Sequence, residues 1–477
     1  MSLEVSSAPT TPRVPVLVRP TAADLRALIT LAIPVMAVEM GMMAMHVVDI
    51  LFVGHLSTTA LAAVSLALIY YFTVVVVGMG TLVGFDALVS QAVGAGDQTS
   101  VRRALQRGLV LAVGLCIPLA LILWPTEPVL RALHQPADII PMATRVVHIS
   151  ILGLPGALTF VVLRQTLQAM ERLRPILMTV LVANLINALC NWLLITGHLG
   201  APALGVNGSA IASVIGRTAL PLLLLFSARD VLWPLLRERD ALVFEMAPLL
   251  RMLRIGAPVG VQYLLEVGVF NAVALLMGAQ AAATLAAHQV AINLASFTFM
   301  MPLGIGAAAA VLVGQAIGRN DAGAARRAAI AALVVGLVAS SFTSVIFLAV
   351  PTLLASAYVT DRGVIALAAT LIPLAGVFQL FDGLQAVAGG ALRGAADTRA
   401  AMIANILGFW AVGLPLGLYL AFRRGMGPAG LWWGLVAGLA AVSVVLLLRL
   451  HWRFGGPLVR VHVDSAHIAH APSTESQ

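Results

Sequence analysis

Two stretches decide how this chain folds. The first is Gln91-Ala92-Val93-Gly94-Ala95-Gly96-Asp97, followed by Arg102-Arg103; the second is Gln315-Ala316-Ile317-Gly318-Arg319-Asn320-Asp321, followed by Arg326-Arg327. They lie 224 positions apart. The same shift lays Pro34 on Pro258, Gly54 on Gly278 and Leu61-Ala62-Ala63 on Leu285-Ala286-Ala287, without a gap over roughly seventy residues. An apolar chain made of two copies of one unit is a recurring build of secondary transporters. Neither copy encloses a pathway alone, so the seam between them is where function is expected.

The copies belong in a membrane. Of 477 residues, 60% are hydrophobic and 10% charged, against a charged share of about 25% in soluble domains. Mean hydropathy is +1.00. Such a chain has too little polar surface to cover a soluble core, and apolar runs of about 20 residues recur along its length. Residues 1–25 lack the basic-then-apolar build of a cleaved signal peptide and read, like 455–477, as a cytosolic tail. The net charge of +8 is carried by Arg alone. Those residues sit between apolar runs rather than on one face, which argues against nucleic-acid binding. Cys116 and Cys190 fall singly inside apolar spans and read as packing residues.

Twelve spans are expected, centred near residues 40, 75, 115, 155, 185 and 218, then 265, 300, 338, 378, 410 and 440. The fold class is thus all-α and polytopic: two homologous six-helix lobes related by a pseudo-two-fold axis along the membrane normal, since an even number of spans per copy makes both enter from one side. Clusters at Arg102/Arg103/Arg107, Arg172/Arg174, Arg237/Arg239/Arg251/Arg254, Arg326/Arg327 and Arg449/Arg453 share one side; Arg131, Arg362 and Arg423/Arg424 lie on the other. The positive-inside rule then puts both termini in the cytosol. The expected organisation is an N-lobe over 26–228, a linker over 229–252 and a C-lobe over 253–454. The linker, with Trp233, Leu235 and Leu236 among Arg and Asp, reads as an amphipathic surface helix or as a plain connector.

Ionisable groups inside a membrane are expensive and ask for a reason. Here they are Glu39, Asp49, Asp86, Arg217, Glu266 and Asp382. Acids dominate, and a carboxylate-lined cavity suits cations. Asp49 is either a functional carboxylate or a satisfied acid that ties helices together. It follows a Met-rich turn containing Met42 and Met45 and then His46, which serves either as an adaptable apolar surface or as packing. Glu39 lies on nearly the same face as His46, about 10 Å away, nearer the cytosolic end and within reach of water. Asn187 and Asn191, at i,i+4, share a face of span 5. They suit an oxygen cage with Asp49, a hydrogen-bonded hold on a protonated Asp, or plain interhelical bonding. Under the 224 shift Asp49 falls on Val273 and Glu266 on Met42, so the copies differ in polar content. Arg217 is expected to neutralise a nearby acid or to face an aqueous cavity. His148 and His288 read as span-end residues.

Several strings together resemble the multidrug and toxic compound extrusion (MATE) family, and within it the bacterial NorM-like branch. They are Val48-Asp49-Ile50-Leu51-Phe52-Val53-Gly54-His55-Leu56, Ala60-Leu61-Ala62-Ala63-Val64-Ser65, Ser90-Gln91-Ala92-Val93-Gly94-Ala95-Gly96-Asp97, Asn187-x-x-x-Asn191, Leu265-Glu266, and Phe381-Asp382-Gly383-Leu384-Gln385 with Gly390-Ala391-Leu392-Arg393-Gly394. The likeness runs from about Leu31 to Leu448 and is carried by the joint spacing. It implies two six-helix lobes around a central cavity and export of organic cations and drugs in exchange for sodium ions or protons. It also implies an N-lobe cation or proton site at Asp49, Asn187 and Asn191, with Ser213 contributing a hydroxyl, and a C-lobe site at Glu266 and Asp382. Glu39, Met42, Met45, His46, Asp86, Tyr263 and Phe378 are candidates for the substrate cavity. Phe378 departs from the branch, which often carries Tyr four residues before the span 10 acid.

The expected mechanism is alternating access, with drug and coupling ion negatively linked at buried carboxylates; Pro34 and Pro258 offer bending points. No cofactor, resident metal or soluble partner is implied, nothing demands an oligomer, and a bacterial inner membrane is the expected location. The chief rival is a flippase for lipid-linked precursors, which would ask for a more cationic cavity. A membrane transferase would need a His/acid constellation that the sequence lacks, and a channel fits duplicated lobes less well.

Overall fold

A computed structural model describes residues 18–238 and 240–462. The expected tails therefore fall largely, and Arg239 of the linker wholly, outside the described residues. Among the described residues, eleven helices are long and apolar enough to cross a bilayer, and a pair bent by 48°, taken as one span, makes a twelfth. They are α1 (Ala22–Gly54), α2 (Thr58–Gly94), α3 (Gln98–Leu123), the bent α4 (Ile140–Ile151 with Leu154–Ala169), α5 (Leu173–Thr196) and α6 (Val206–Ser227). After the linker come α7 (Met246–Gln280), α8 (Ala282–Gly318), α9 (Ala322–Ala349), α10 (Arg362–Gly394), α11 (Thr398–Arg423) and α12 (Gly427–Gly455). The starts of α7, α8 and α9 lie 224 residues after those of α1, α2 and α3, so the sequence repeat is a repeat of helices. Pro34 and Pro258 lie inside α1 and α7.

The opening motif is a tight turn between antiparallel helices. Gly96 and Asn320 adopt the left-handed conformation, with φ of 69° and 60°; glycine and asparagine tolerate it best. In both turns the amide three residues past the helix end reaches back: Asp97 to the Ala92 carbonyl, Asp321 to that of Ala316. Each Asp then caps the next helix, accepting from the amides of Ser100 and Ala324 respectively. Helices α10 and α11 join through the same turn with Ala396 at φ 57°. The motif thus stops one span and starts another within a few residues.

Helices α1–α6 form one lobe and α7–α12 the other; one apolar core lies wholly within the second lobe, while the other fills the first and continues across the seam to Leu249, Met252, Ile305 and Val387. They meet through α2 against α7 and α1 against α8. We call the side holding residues 18 and 462 the terminal face. The seam is built of backbone against backbone. A Cβ on Gly80 would sit 2.8 Å from Gly260 Cα, and one on Gly84 would sit 2.5 Å from Gly256 Cα. Nearer the terminal face, Gly94 packs on the Gln315 carbonyl and Gly318 on the Gln91 carbonyl, contacts that the 224 shift exchanges. Two amides stitch the same level: Gln91 donates to the Gly394 carbonyl at 2.9 Å and Gln315 to that of Ala169 at 3.0 Å. All these approaches lie on the terminal side of the Asn271–Thr73 hydrogen bond.

The basic clusters hold this face together. Arg102 pairs with Glu238, Arg103 with Asp240 at 2.7 Å, and Arg107 donates to the Leu242 carbonyl, so α3 binds the linker. The linker's first part is a helix, Arg229–Arg237, that buries Leu232 and Leu235 and exposes Trp233; α7 already begins at Met246. After α12 the chain crosses to the other lobe, where Arg460 meets Asp97 at 2.8 Å and the Val461 amide donates to Gln91 at 2.8 Å. Burial opposes ionisation of Asp97, but bonds from Ser100 and Arg460 outweigh it and hold its pKa at about 2.

The seam predicts a contrast between two glycines. Gly94→Ala should destabilise the protein by about 1–3 kcal/mol through overpacking, whereas Gly114, with nothing within 4 Å, should accept Ala without loss. Thermal melts of the two variants in one detergent measure the difference.

Candidate functional site

In the N-lobe, four expected residues from three helices converge. Asp49, on the last turns of α1, is 2% exposed. Its Oδ1 accepts from Asn191 at 2.7 Å and Asn187 at 3.0 Å, and its Oδ2 from the Ser213 hydroxyl at 2.7 Å. The asparagines are fully buried on α5, where the i,i+4 spacing that suggested a shared face brings both amides to one carboxylate. Three donors do not use up the oxygens available. Asn191 Oδ1 is buried without a hydrogen-bond partner, so an acceptor beside an acid is left for a cation or a proton donor to satisfy.

The surrounding candidates divide. Met45 is buried, its sulfur 3.6 Å from where a Cβ on Gly216 would stand; Met42 packs against the core. His46 is exposed, within electrostatic reach of both Asp49 and Arg217. Arg217 forms no ion pair among the described residues. Its guanidinium lies 4.5 Å from the centre of the Tyr71 ring, and its Nη1 has no hydrogen-bond partner.

The centre of the molecule differs from the sequence expectation. Glu39 lies near the middle of α1 rather than near its end, remains partly exposed, and pairs with Arg164 of α4 at 2.8 Å. Asp86, fully buried on α2, accepts from Ser90 at 3.3 Å and feels both Arg393 and Arg164. On the C-lobe side Glu266 of α7 accepts from Gln385 and lies within reach of Arg393, while Asp382 of α10 lies within reach of Glu266. Tyr263, one turn before Glu266, feels Arg393, Arg164, Glu266 and Glu39. The acids therefore do not stand alone, because Arg164 and Arg393 are interleaved with them. Neither arginine was counted among the buried charges, although Arg164 interrupts Val161-Val162-Leu163 and carried the signal.

One further residue was not anticipated. Trp410 donates its indole N–H to the Leu265 carbonyl at 3.1 Å, pinning the turn of α7 that bears Glu266. It projects from a stretch of α11, Ile406–Gly413, wound as a π-helix, a winding often found where helices bear function. Phe378 joins an aromatic cluster, edge-on to Phe270 at 6.0 Å and to Trp432 at 5.8 Å between ring centres. His288, close to the start of α8, is 1% exposed and packs in the C-lobe core beside Trp432. His148 does stack on Trp124 at a helix end.

The Glu39–Arg164 pair can be weighed directly. Arg164→Met, which strands a carboxylate in an apolar site, should cost roughly 3 kcal/mol. Adding Glu39→Gln should restore most of that loss. Melting temperatures of the two single variants and the double variant report the coupling.

With this geometry in view, comparison with known proteins is direct. The MatE family model matches residues 34–193 and 258–419, one copy in each lobe. The probable multidrug resistance protein NorM of Rhizobium meliloti (strain 1021) is 36% identical over 92% of this chain and 95% of its own. The multidrug resistance protein NorM of Burkholderia vietnamiensis is 37% identical over 88% and 92%. In structure, the eukaryotic MATE transporter AtDTX14 superposes with a TM-score of 0.84 at 24% identity, over 91% of this chain and 97% of that one. The Vibrio cholerae MATE transporter VcmN in its bent form gives 0.78 at 18%, over 91% and 97%. A duplicated six-helix unit, a seam along α1, α2, α7 and α8, and relatives matched over most of their length lead to one conclusion: this multi-pass membrane protein belongs to the MATE family of transporters and is not an enzyme.

Proposed function

We propose that the chain is a cation-coupled antiporter that exports organic cations and drugs, with sodium ions or protons flowing inward. The observation that carries this reading is the unpartnered, buried Asn191 Oδ1 beside the Asp49 carboxylate. Buried amide oxygens are normally hydrogen-bonded, and this one stands beside an acid, which supports a place for a cation or a proton donor. Asp49, Asn187, Asn191 and Ser213 form the proposed N-lobe cation or proton site, and Glu266 with Asp382 the proposed C-lobe site. The substrate cavity lies between them, bordered by His46, Tyr263 and the Glu39–Arg164 pair. Names of relatives as multidrug resistance proteins support the substrate class.

The terminal face is taken as cytosolic, following the distribution of Arg. The inner membrane is then the proposed location, and the close packing of the seam at that face supports reading this as an outward-facing state. The proposed lobes are 26–228 and 253–454, joined by the linker at 229–252, in a protein that works as a monomer. Exchange follows from linkage: a coupling ion and a drug that oppose one another at buried carboxylates drive each other across as the lobes rock.

A flippase for lipid-linked precursors is the second reading, and Arg164 and Arg393 are what favour it. Both sit among acids, however, so the cavity they border lacks the surplus of positive charge that an anionic headgroup needs.

The test is ethidium efflux from proteoliposomes under an imposed sodium gradient and, separately, a proton gradient. One gradient should drive efflux, and Asp49→Asn, Glu266→Gln and Asp382→Asn should each reduce it by an order of magnitude or more. If neither gradient moves any organic cation, the antiport reading fails.

A further inference from the structure

Away from the seam, the terminal face carries a cavity of about 530 Å³ between the start of α7, the turn joining α10 to α11, and the end of α12. That volume is in the range of small-molecule sites. Its polar lining is Arg254, Arg399 and Arg449 against one carboxylate, Asp397. The acid is already engaged: Arg449 Nε meets Asp397 Oδ2 at 2.7 Å, while the Arg449 guanidinium lies 4.5 Å from the centre of the Trp452 ring. Arg254 and Arg399 are exposed and have no ion pair among the described residues. Asp97 and Asp321 cap the helices that follow them, but Asp397, spent on Arg449, makes no cap bond to α11. The first amides of α11 thus add to the positive character of the cavity.

Its apolar side points to the occupant. Ile403 and Val445 line the cavity. Ile403 continues into exposed Ile406 and Leu407 on α11, and exposed Val444, Leu448 and Trp452 flank it on α12. In a bilayer such a stripe faces acyl chains, and a basic pocket at its end lies at headgroup depth. Under the 224 shift Arg254 falls on Thr30, so the repeat itself does not call for this charge.

We propose that this cavity binds the phosphate headgroup of an anionic phospholipid, with Arg254 and Arg399 on the phosphate and the acyl chains along α11 and α12. A site there would brace the start of α7, which carries Glu266 further along, against α11 and α12. The inference requires only that the chain lies in a membrane and is independent of what it transports.

The test is the melting temperature and native mass spectrum of full-length protein in neutral detergent, titrated with phosphatidylglycerol, phosphatidylcholine or inorganic phosphate. Phosphatidylglycerol should stabilise the protein and remain bound. Arg254→Gln with Arg399→Gln should weaken that binding roughly 10- to 30-fold. Arg254→Lys with Arg399→Lys should largely keep it, as should Arg423→Gln with Arg424→Gln on the opposite face. Equal stabilisation by phosphatidylcholine, or full retention by the Gln pair, overturns the proposal. Inorganic phosphate displacing phosphatidylglycerol at similar concentration overturns the lipid assignment in favour of a free-phosphate site. Because binding is read without transport, a failed efflux experiment leaves this result standing.

Discussion

Close approach of backbone to backbone at the seam is the constraint on which the rest of the molecule depends. Gly80, Gly84, Gly256 and Gly260 let α2 and α7 touch without side chains between them, and Gly94 and Gly318 do the same at the ends of α2 and α8. In lipid, where burying apolar surface brings no gain between helices, small residues and good packing are what hold helices together. The amides of Gln91 and Gln315 then add directional bonds across the joint. A joint of this kind suits two bodies that move against each other, since backbone approach at small residues leaves few long side chains to repack there. The strap after α12, held by Arg460 and Val461, and the linker docked on α3 close over the same face.

Charge is placed around that joint rather than at random. Within the N-lobe Asp49 is surrounded by neutral donors, while in the centre Glu39, Asp86 and Glu266 have Arg164 or Arg393 beside them and Asp382 has Glu266. A buried ion pair is weak evidence for stability, because desolvation offsets the attraction between its members. What such an array does supply is sensitivity, since neutralising any one acid alters the balance for its neighbours. Asp86 and Arg393 come from different lobes, so part of that balance runs across the seam. The proposed N-lobe and C-lobe cation sites are therefore chemically unlike: one is lined by neutral hydrogen-bonding groups, the other rests on neighbouring charges.

The sequence by itself determined the architecture. The repeat at 224 residues, the apolar runs and the turn motif around Asp97 and Asp321 are local or periodic features, and a bilayer permits few solutions for such a chain. Helix number, the equivalence of α1–α3 with α7–α9, and the pairing of Asn187 with Asn191 on one face were all legible, because they follow from spacing along a single helix. The tertiary structure decided which charges meet. Arg164 is 125 residues from Glu39 in the chain, and no periodicity in either helix points to the other. Arg393 stands at the end of a span, where a lone arginine reads as interfacial until the packing of α10 buries it. The same holds for Trp410 and for the lipid-facing cavity at Arg254 and Arg399, since α7, α11 and α12 meet there only in three dimensions. Helix periodicity is a property of neighbours in sequence, whereas electrostatic pairing depends on distance through space, and only the packed lobes set that distance.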